Sequence, residues 1–173
     1  MTTPPIVPDT ERVATDGARE SYVLCEVAGA TYAVRSADIE QLEMVGSLTP
    51  VPNAPAFVEG VTSIRGRVIP AVNLRVRFGF PRVAPDLRAR IVVVRSGSRS
   101  VGLMVDSARE FASIATEQVQ PPPDALTEDS TRYLQGVAHV GDRLVLVIDV
   151  SELLEISDSI PLPPVAGMLP ATM

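Results

Sequence analysis

The 173-residue sequence has no lysine and no tryptophan, and only one cysteine and one histidine, which closes several kinds of chemistry to it. Cys25 alone can form no internal disulfide. His139 has no second histidine or cysteine near it in sequence, so a metal centre lacks its ligands and a strand histidine with a structural hydrogen bond is the expected reading. None of the glycine patterns that cradle phosphates, GxxxxGK[ST] or GxGxxG, and no GxSxG nucleophile elbow is present. No catalytic, cofactor-binding or metal-binding residue is therefore expected. With three Tyr, four Phe and a net charge of −6, the chain also lacks the stacking platforms and the positive field that single-stranded nucleic acid requires. Apolar runs fall short of the roughly 20 residues needed to cross a bilayer, and the N-terminus lacks the basic start and apolar stretch of a signal peptide. A cytoplasmic protein with no membrane insertion is expected.

What the sequence does have is 46% hydrophobic content, enough for a substantial core, arranged as short β-branched runs punctuated by glycine. YVLCEV, TYAV, VTSIR, VIPAVNL, RIVVVR, SVGLMV, YLQGVAHV and RLVLVIDV follow one another in the rhythm of small antiparallel sheets or barrels. Residues 1–20 and the proline-broken stretch 156–173 carry no such period and read as flexible tails, with 21–155 between them as the folded unit. RIVVVR is apolar on successive residues, as a strand buried on both faces would be. Cys25 alternates with Val23 and Val27 and is expected to be a buried thiol. Glu128, Asp129 and neighbouring Asp124 read as a solvated loop, and PLPP at 161–164 as part of the tail.

The chain also repeats itself. FVEGVTSIRGRVIPAVNL, Phe57 to Leu74, matches YLQGVAHVGDRLVLVIDV, Tyr133 to Val150, at a constant offset of 76 without a gap. Phe57 meets Tyr133, Gly60 meets Gly136, Arg67 meets Arg143 and Asn73 meets Asp149. Each copy reads as a hairpin turning at Gly66-Arg67 or Gly141-Asp142, with glycine first because that position needs positive φ. Upstream, Leu24, Gly29 and Asp38 echo Val92, Gly97 and Asp106 more weakly at an offset of 68. The expected architecture is all-β: a first small barrel mainly from 21–80 and a second mainly from 88–150, with strand exchange between them allowed and an apolar face shared.

These residues carry a resemblance to the CheW family, the adaptors that couple bacterial chemoreceptors to the histidine kinase CheA. PNAPAFVEGVTSIRG, IPAVNLR, VGLMVD and YLQGVAHVGDRLVLVIDVSELL occur in that family's order and spacing, over about Ser21 to Leu154. The resemblance implies two related five-stranded SH3-like barrels packed together, a short helix near the C-terminus, and no catalysis. It also implies two protein partners, the hairpin tip of a receptor and the regulatory domain of a CheA-type kinase, and so association with membrane-anchored receptor arrays. Carried over residue by residue, it assigns Arg65, Gly102, Ile39 and Gln41 to the receptor contact and Gly60 to the kinase contact. Where the family commonly places a glutamate beside the arginine, this chain has Gln41; Glu40 and Glu43 would point elsewhere in an extended segment. Asn73 stands where aspartate is usual. Two other readings share some of these features: an adaptor of the same family in a type IV pilus, surface-sensing or developmental pathway, and, more distantly, a small-barrel nucleic-acid-binding module drawing on Arg65, Arg67, Arg75 and Arg77.

Overall fold

Residues 18–124 and 132–157 are described in a computed structural model, in which the short apolar runs become ten strands. They are β1 (Arg19–Val27), β2 (Ala30–Arg35), β3 (Ile39–Met44), β4 (Val58–Ile64), β5 (Arg67–Asn73), β6 (Arg90–Ser96), β7 (Arg99–Val105), β8 (Ser107–Ala115), β9 (Leu134–Val140) and β10 (Arg143–Ile148). Two short helices, α1 (Leu74–Arg77) and α2 (Val150–Ser157), each follow the second strand of a repeated hairpin. β1 starts at Arg19, inside the span expected as tail. The acidic stretch at Glu128 and Asp129 and the PLPP segment lie outside the described residues.

Two five-stranded sheets form, in the orders β8-β1-β2-β10-β9 and β3-β6-β7-β5-β4. Renumbering β1–β5 as β6–β10 converts one order into the other, so the fold is a pseudo-two-fold pair built on the sequence repeat. The sheets nevertheless cut across the halves. β1 and β2 join β8, β9 and β10, while β6 and β7 join β3, β4 and β5. The seams are the two parallel pairings, β2 with β10 and β5 with β7. Each sheet then closes into a barrel through the chain that follows its edge strand: Thr49 exchanges two backbone hydrogen bonds of 2.8 Å with Val61, and Gln120 bonds Val137 in the same way at 2.8 and 2.7 Å. Each bridge covers part of an edge strand and so shortens the edge that another sheet could extend.

Asp106 fastens the crossover between β7 and β8. Its N–H donates to the Glu26 carbonyl at 2.8 Å and its carboxylate accepts from the Ala28 N–H at 2.9 Å. The same carboxylate takes Arg75 of α1 side-on, at 2.9 and 2.8 Å. One half-buried side chain thus ties the β1–β2 turn, the crossover and α1 together, in the paired geometry that suits guanidinium to carboxylate.

The downstream offset of 76 holds atom by atom. Asn73 N–H donates to the Phe57 carbonyl at 2.7 Å, and Asp149 N–H to the Tyr133 carbonyl at 2.8 Å. The two side chains also do one job. Asn73 Oδ1 accepts from the Arg75 and Val76 N–H groups at the start of α1, and Asp149 Oδ1 from the Glu152 N–H in α2. An Asx side chain at a helix start answers donors that would otherwise lack partners. The upstream offset is 69 rather than 68: Val27 pairs Ala30 across the β1–β2 turn, and Ser96 pairs Arg99 across the β6–β7 turn. Aligning Gly29 with Gly97 slips the register because the glycine is second in one turn, Ala28-Gly29, and first in the other, Gly97-Ser98.

Packing is in three layers. Tyr22, Leu24, Ala33, Ile114, Ala138, Val145 and Val147 fill one barrel, and Ile64, Ile69, Ala71, Ile91, Val93 and Met104 the other. Between them lies a larger core shared by both sheets, with Val23, Cys25, Val27 and Val34 from one side, Val72, Val92, Val94 and Leu103 from the other, and Leu153 and Leu154 of α2 at its margin. Alternate residues of RIVVVR therefore serve different cores: Ile91 and Val93 point into a barrel, Val92 and Val94 into the shared layer, and all four are buried. Cys25 is in the shared layer, where burial pushes its thiol pKa up to about 12. A small barrel has little interior of its own, so the shared layer supplies much of the apolar burial.

Candidate functional site: an arginine-rich barrel end

The β4–β5 hairpin turns at Arg65-Gly66, since Ile64 pairs directly with Arg67. This places the arginine inside the turn, one position earlier than the glycine-first turn expected from the sequence; the second copy does turn at Gly141-Asp142, between Val140 and Arg143. Arg65 has φ 51° and Gly66 φ 81°, both left-handed, the combination of the tight hairpin turn that normally takes Asn-Gly. Glycine tolerates this freely, but an arginine held there carries strain of order 1–3 kcal/mol. Its side chain is exposed and makes no hydrogen bond or ion pair among the described residues.

The same end of the barrel gathers the start of β3, the end of β6 and the start of β7. In the β3–β6 pairing, Ile39 stands opposite Val94 but Gln41 opposite Val93, so Glu40 is the extra residue of a bulge. A bulge re-aims its side chain. Glu40 therefore does not point away, as an unbroken strand would have it, but toward the hairpin. Its carboxylate accepts from Ser100 Oγ at 2.7 Å and from Arg67 Nη2 at 2.9 Å, with Arg95 Nη1 at 3.6 Å. The Ser100 hydroxyl first, and then Arg67, hold its pKa below the ordinary carboxylate value. Gln41 donates instead to Glu43, on its own strand, with no hydrogen bond to Arg65 among the described residues. The acid of this site is Glu40. Against three arginines, Arg65, Arg67 and Arg95, it leaves the barrel end positively charged on an acidic protein.

The other residues singled out from sequence are placed differently from one another. Ile39 is half-buried beside Glu40 and packs on the shared core. Gly102 is buried mid-sheet, opposite Val93 and Ala71, and a Cβ there would meet Ile91 Cγ2 at 2.6 Å, so it fills the barrel interior rather than lining an open groove. Gly60 is buried too, with φ 147°; an added Cβ would fall 2.3 Å from the Thr49 carbonyl oxygen. Gly136 meets Gln120 in the same way, at 2.4 Å. These paired glycines let the closing segment approach β4 and β9, which is why the repeat keeps them in register. His139 is exposed on β9, with no hydrogen bond among the described residues, not the bonded strand histidine that its apolar neighbours suggest. No group of three or more His, Cys, Asp or Glu side chains that could hold a metal ion occurs among the described residues.

Sequence reasoning missed Glu40, Arg67, Arg95 and Ser100 as a cluster. They come from four strands, and the bulge that unites them leaves no mark in the residue pattern.

Similarity to known proteins agrees with this architecture. The family model for the CheW-like domain matches residues 21–158. The chemotaxis protein CheW of Klebsiella aerogenes is 27% identical over 143 residues, covering 83% of this chain and 86% of that protein. Protein FrzA of Myxococcus xanthus is 29% identical over 158 residues, covering 87% and 94%. Among solved structures, the scaffolding protein TtCheW of Thermoanaerobacter tengcongensis superposes with a TM-score of 0.71 at 28% identity, covering 77% of this chain and 86% of that one. From the first strand to the C-terminal helix, then, the chain belongs to the CheW-like domain family, whose members are non-catalytic scaffold proteins of chemotaxis signalling.

Proposed function

We propose that this scaffold couples a chemoreceptor to a CheA-type histidine kinase in the cytoplasm, holding the receptor's helical hairpin tip at the arginine-rich barrel end and the kinase's regulatory domain along β4. One observation carries the receptor assignment: Arg65 is exposed, unpaired among the described residues, and kept in a strained turn. Strain that no internal contact repays is characteristic of a residue kept for a partner. Arg65 would meet a carboxylate or carbonyl of the tip, with Ile39 offering apolar contact, Gln41 adjusting the choice of receptor, and Gly102 acting through the packing beneath. For the kinase, Gly60 contributes by shaping the β4 edge, because its own surface is enclosed by Thr49.

Arg65→Glu should weaken binding to receptor-bearing vesicles by roughly 2 kcal/mol or more while leaving kinase binding intact, since it reverses a charge at one interface only. Val61→Asp, beside Gly60 and half-buried, should do the opposite. Co-sedimentation with each partner separately decides; equal loss of both partners in a folded Arg65→Glu protein sinks the assignment. A second reading, an adaptor in a pathway other than flagellar chemotaxis, is favoured by the FrzA match over 87% of the chain. Identifying the receptor and kinase recovered from the native lysate separates the two.

A further inference from the structure

Copy one and copy two part company at one telling position. Arg77, the last residue of α1, stands 76 positions before Leu153, which is buried in the shared core beneath α2. The repeat has therefore put a guanidinium where its other half puts a leucine. Its central carbon lies over two rings, Phe57 at 4.6 Å and Tyr133 at 4.5 Å from their centroids, the equivalent aromatic pair of the two repeats. Rings so placed stabilise a cation, yet they leave its N–H groups unanswered. Nε is buried without a hydrogen-bond partner. No carboxylate among the described residues pairs with Arg77, and the nearby charge of Arg132 opposes it.

Arg77 and Arg132 open on a cavity of about 540 Å³, within the size range of small-ligand sites. Phe78, Tyr133, Leu134 and Leu146 are among its walls. Stacking of Phe78 on Tyr32 at 5.2 Å, and its tilted contact with Tyr133 at 6.0 Å, fix those walls. The cavity involves α1, β2, β9 and β10, none of which supplies the Arg65 cluster's turn or the Glu40 bulge. With Arg77 Nε buried and unanswered beside two rings, an anion that satisfies its N–H groups meets them side-on, the approach that matches a carboxylate.

We propose that this cavity is a binding site for a carboxylate carried on an apolar or aromatic body. The carboxylate pairs with Arg77 and Arg132 and the body packs on Phe78, Leu134 and Leu146. The carboxylate's source is either a free small acid or an acidic side chain flanked by apolar residues on a polypeptide.

The test is a titration of the full-length ¹⁵N-labelled protein, followed by NMR, with 3-phenylpropionate and with its neutral amide. The acid should shift the Arg77 Nε–H and the Leu134 and Leu146 amides, and should bind at least about tenfold more tightly than the amide, because charge-assisted bonds are the stronger kind. Arg77→Leu, which installs the residue of the other repeat, should remain folded and lose that preference; Arg132→Gln, at an exposed position, should weaken it. A second arm uses the peptide acetyl-Phe-Glu-Leu-amide. Tighter binding by the peptide than by phenylpropionate places the carboxylate on a polypeptide, and weaker binding places it on a small acid. Equal binding of acid and amide, no shift with either the acid or the peptide, or unchanged binding by folded Arg77→Leu overturns the proposal.

Discussion

Replacing Arg65 by asparagine should make the protein more stable and its receptor binding weaker at once. Arg65 occupies the left-handed region at φ 51°, ahead of Gly66 at φ 81°. Asparagine enters that region several-fold more readily than most residues, and Asn-Gly is the preferred pair for this turn. Because the side chain makes no internal bond among the described residues, the substitution removes strain without removing a contact. Left-handed backbone costs an L-residue about 1–2 kcal/mol, of which asparagine retains part, so a net gain of about 0.5–1 kcal/mol is expected. For a chain of this size that is a rise of about 1–4 °C in Tm. Urea denaturation should show the midpoint moving up with an unchanged m-value, the sign of altered stability rather than altered compactness. Receptor-vesicle binding by the same preparation should fall. Arg65→Gly gives a smaller gain, since glycine adds unfolded-state entropy. No stabilisation by Arg65→Asn would refute the strain argument, and stabilisation with full receptor binding would refute the functional one.

Three further outcomes follow from the packing and charges. Gly60→Ala and Gly136→Ala should each destabilise by about 3 kcal/mol or more, because the new methyl meets backbone at 2.3 or 2.4 Å; thermal melts of both variants measure this, and parity with a surface glycine such as Gly46, which has open space around it, would contradict the closure account. Cys25, buried with its thiol pKa near 12, should resist a thiol reagent at neutral pH in the native state and react once urea unfolds the chain; rapid native labelling would place it outside the shared core. Glu40 and Glu59 should also make the fold acid-sensitive. Burial of Glu59 favours its neutral form, but hydrogen bonds from Arg82 and Asn73 outweigh it, and both carboxylates end below the ordinary value. A depressed folded-state pKa gives stability present above the unfolded pKa of about 4.3 and lost as pH falls through the folded value, so Glu40→Gln should flatten the loss in urea midpoint below about pH 4.5.

The sequence alone determined the all-β class, the two-fold repetition of β4–β5 in β9–β10, the double-sided burial of RIVVVR and the buried state of Cys25. Each is a local matter of period, β-branching and glycine punctuation, which residues express wherever the strand eventually pairs. It also marked Gly60 and Gly136 through their constant spacing, though not their reason, which is the approach of Thr49 and Gln120. Tertiary structure alone decided the reciprocal exchange of β1–β2 and β6–β7 between sheets, because its parallel seams, β2–β10 above all with Thr31 opposite Val145, join residues distant in sequence and leave no local trace. It decided which end of each turn the glycine takes, shifting Arg65 into the turn and the upstream offset from 68 to 69. It decided the aim of Glu40 as well: one extra residue against β6 reverses a side chain that strand alternation sends the other way, and only the partner strand shows that the residue is extra.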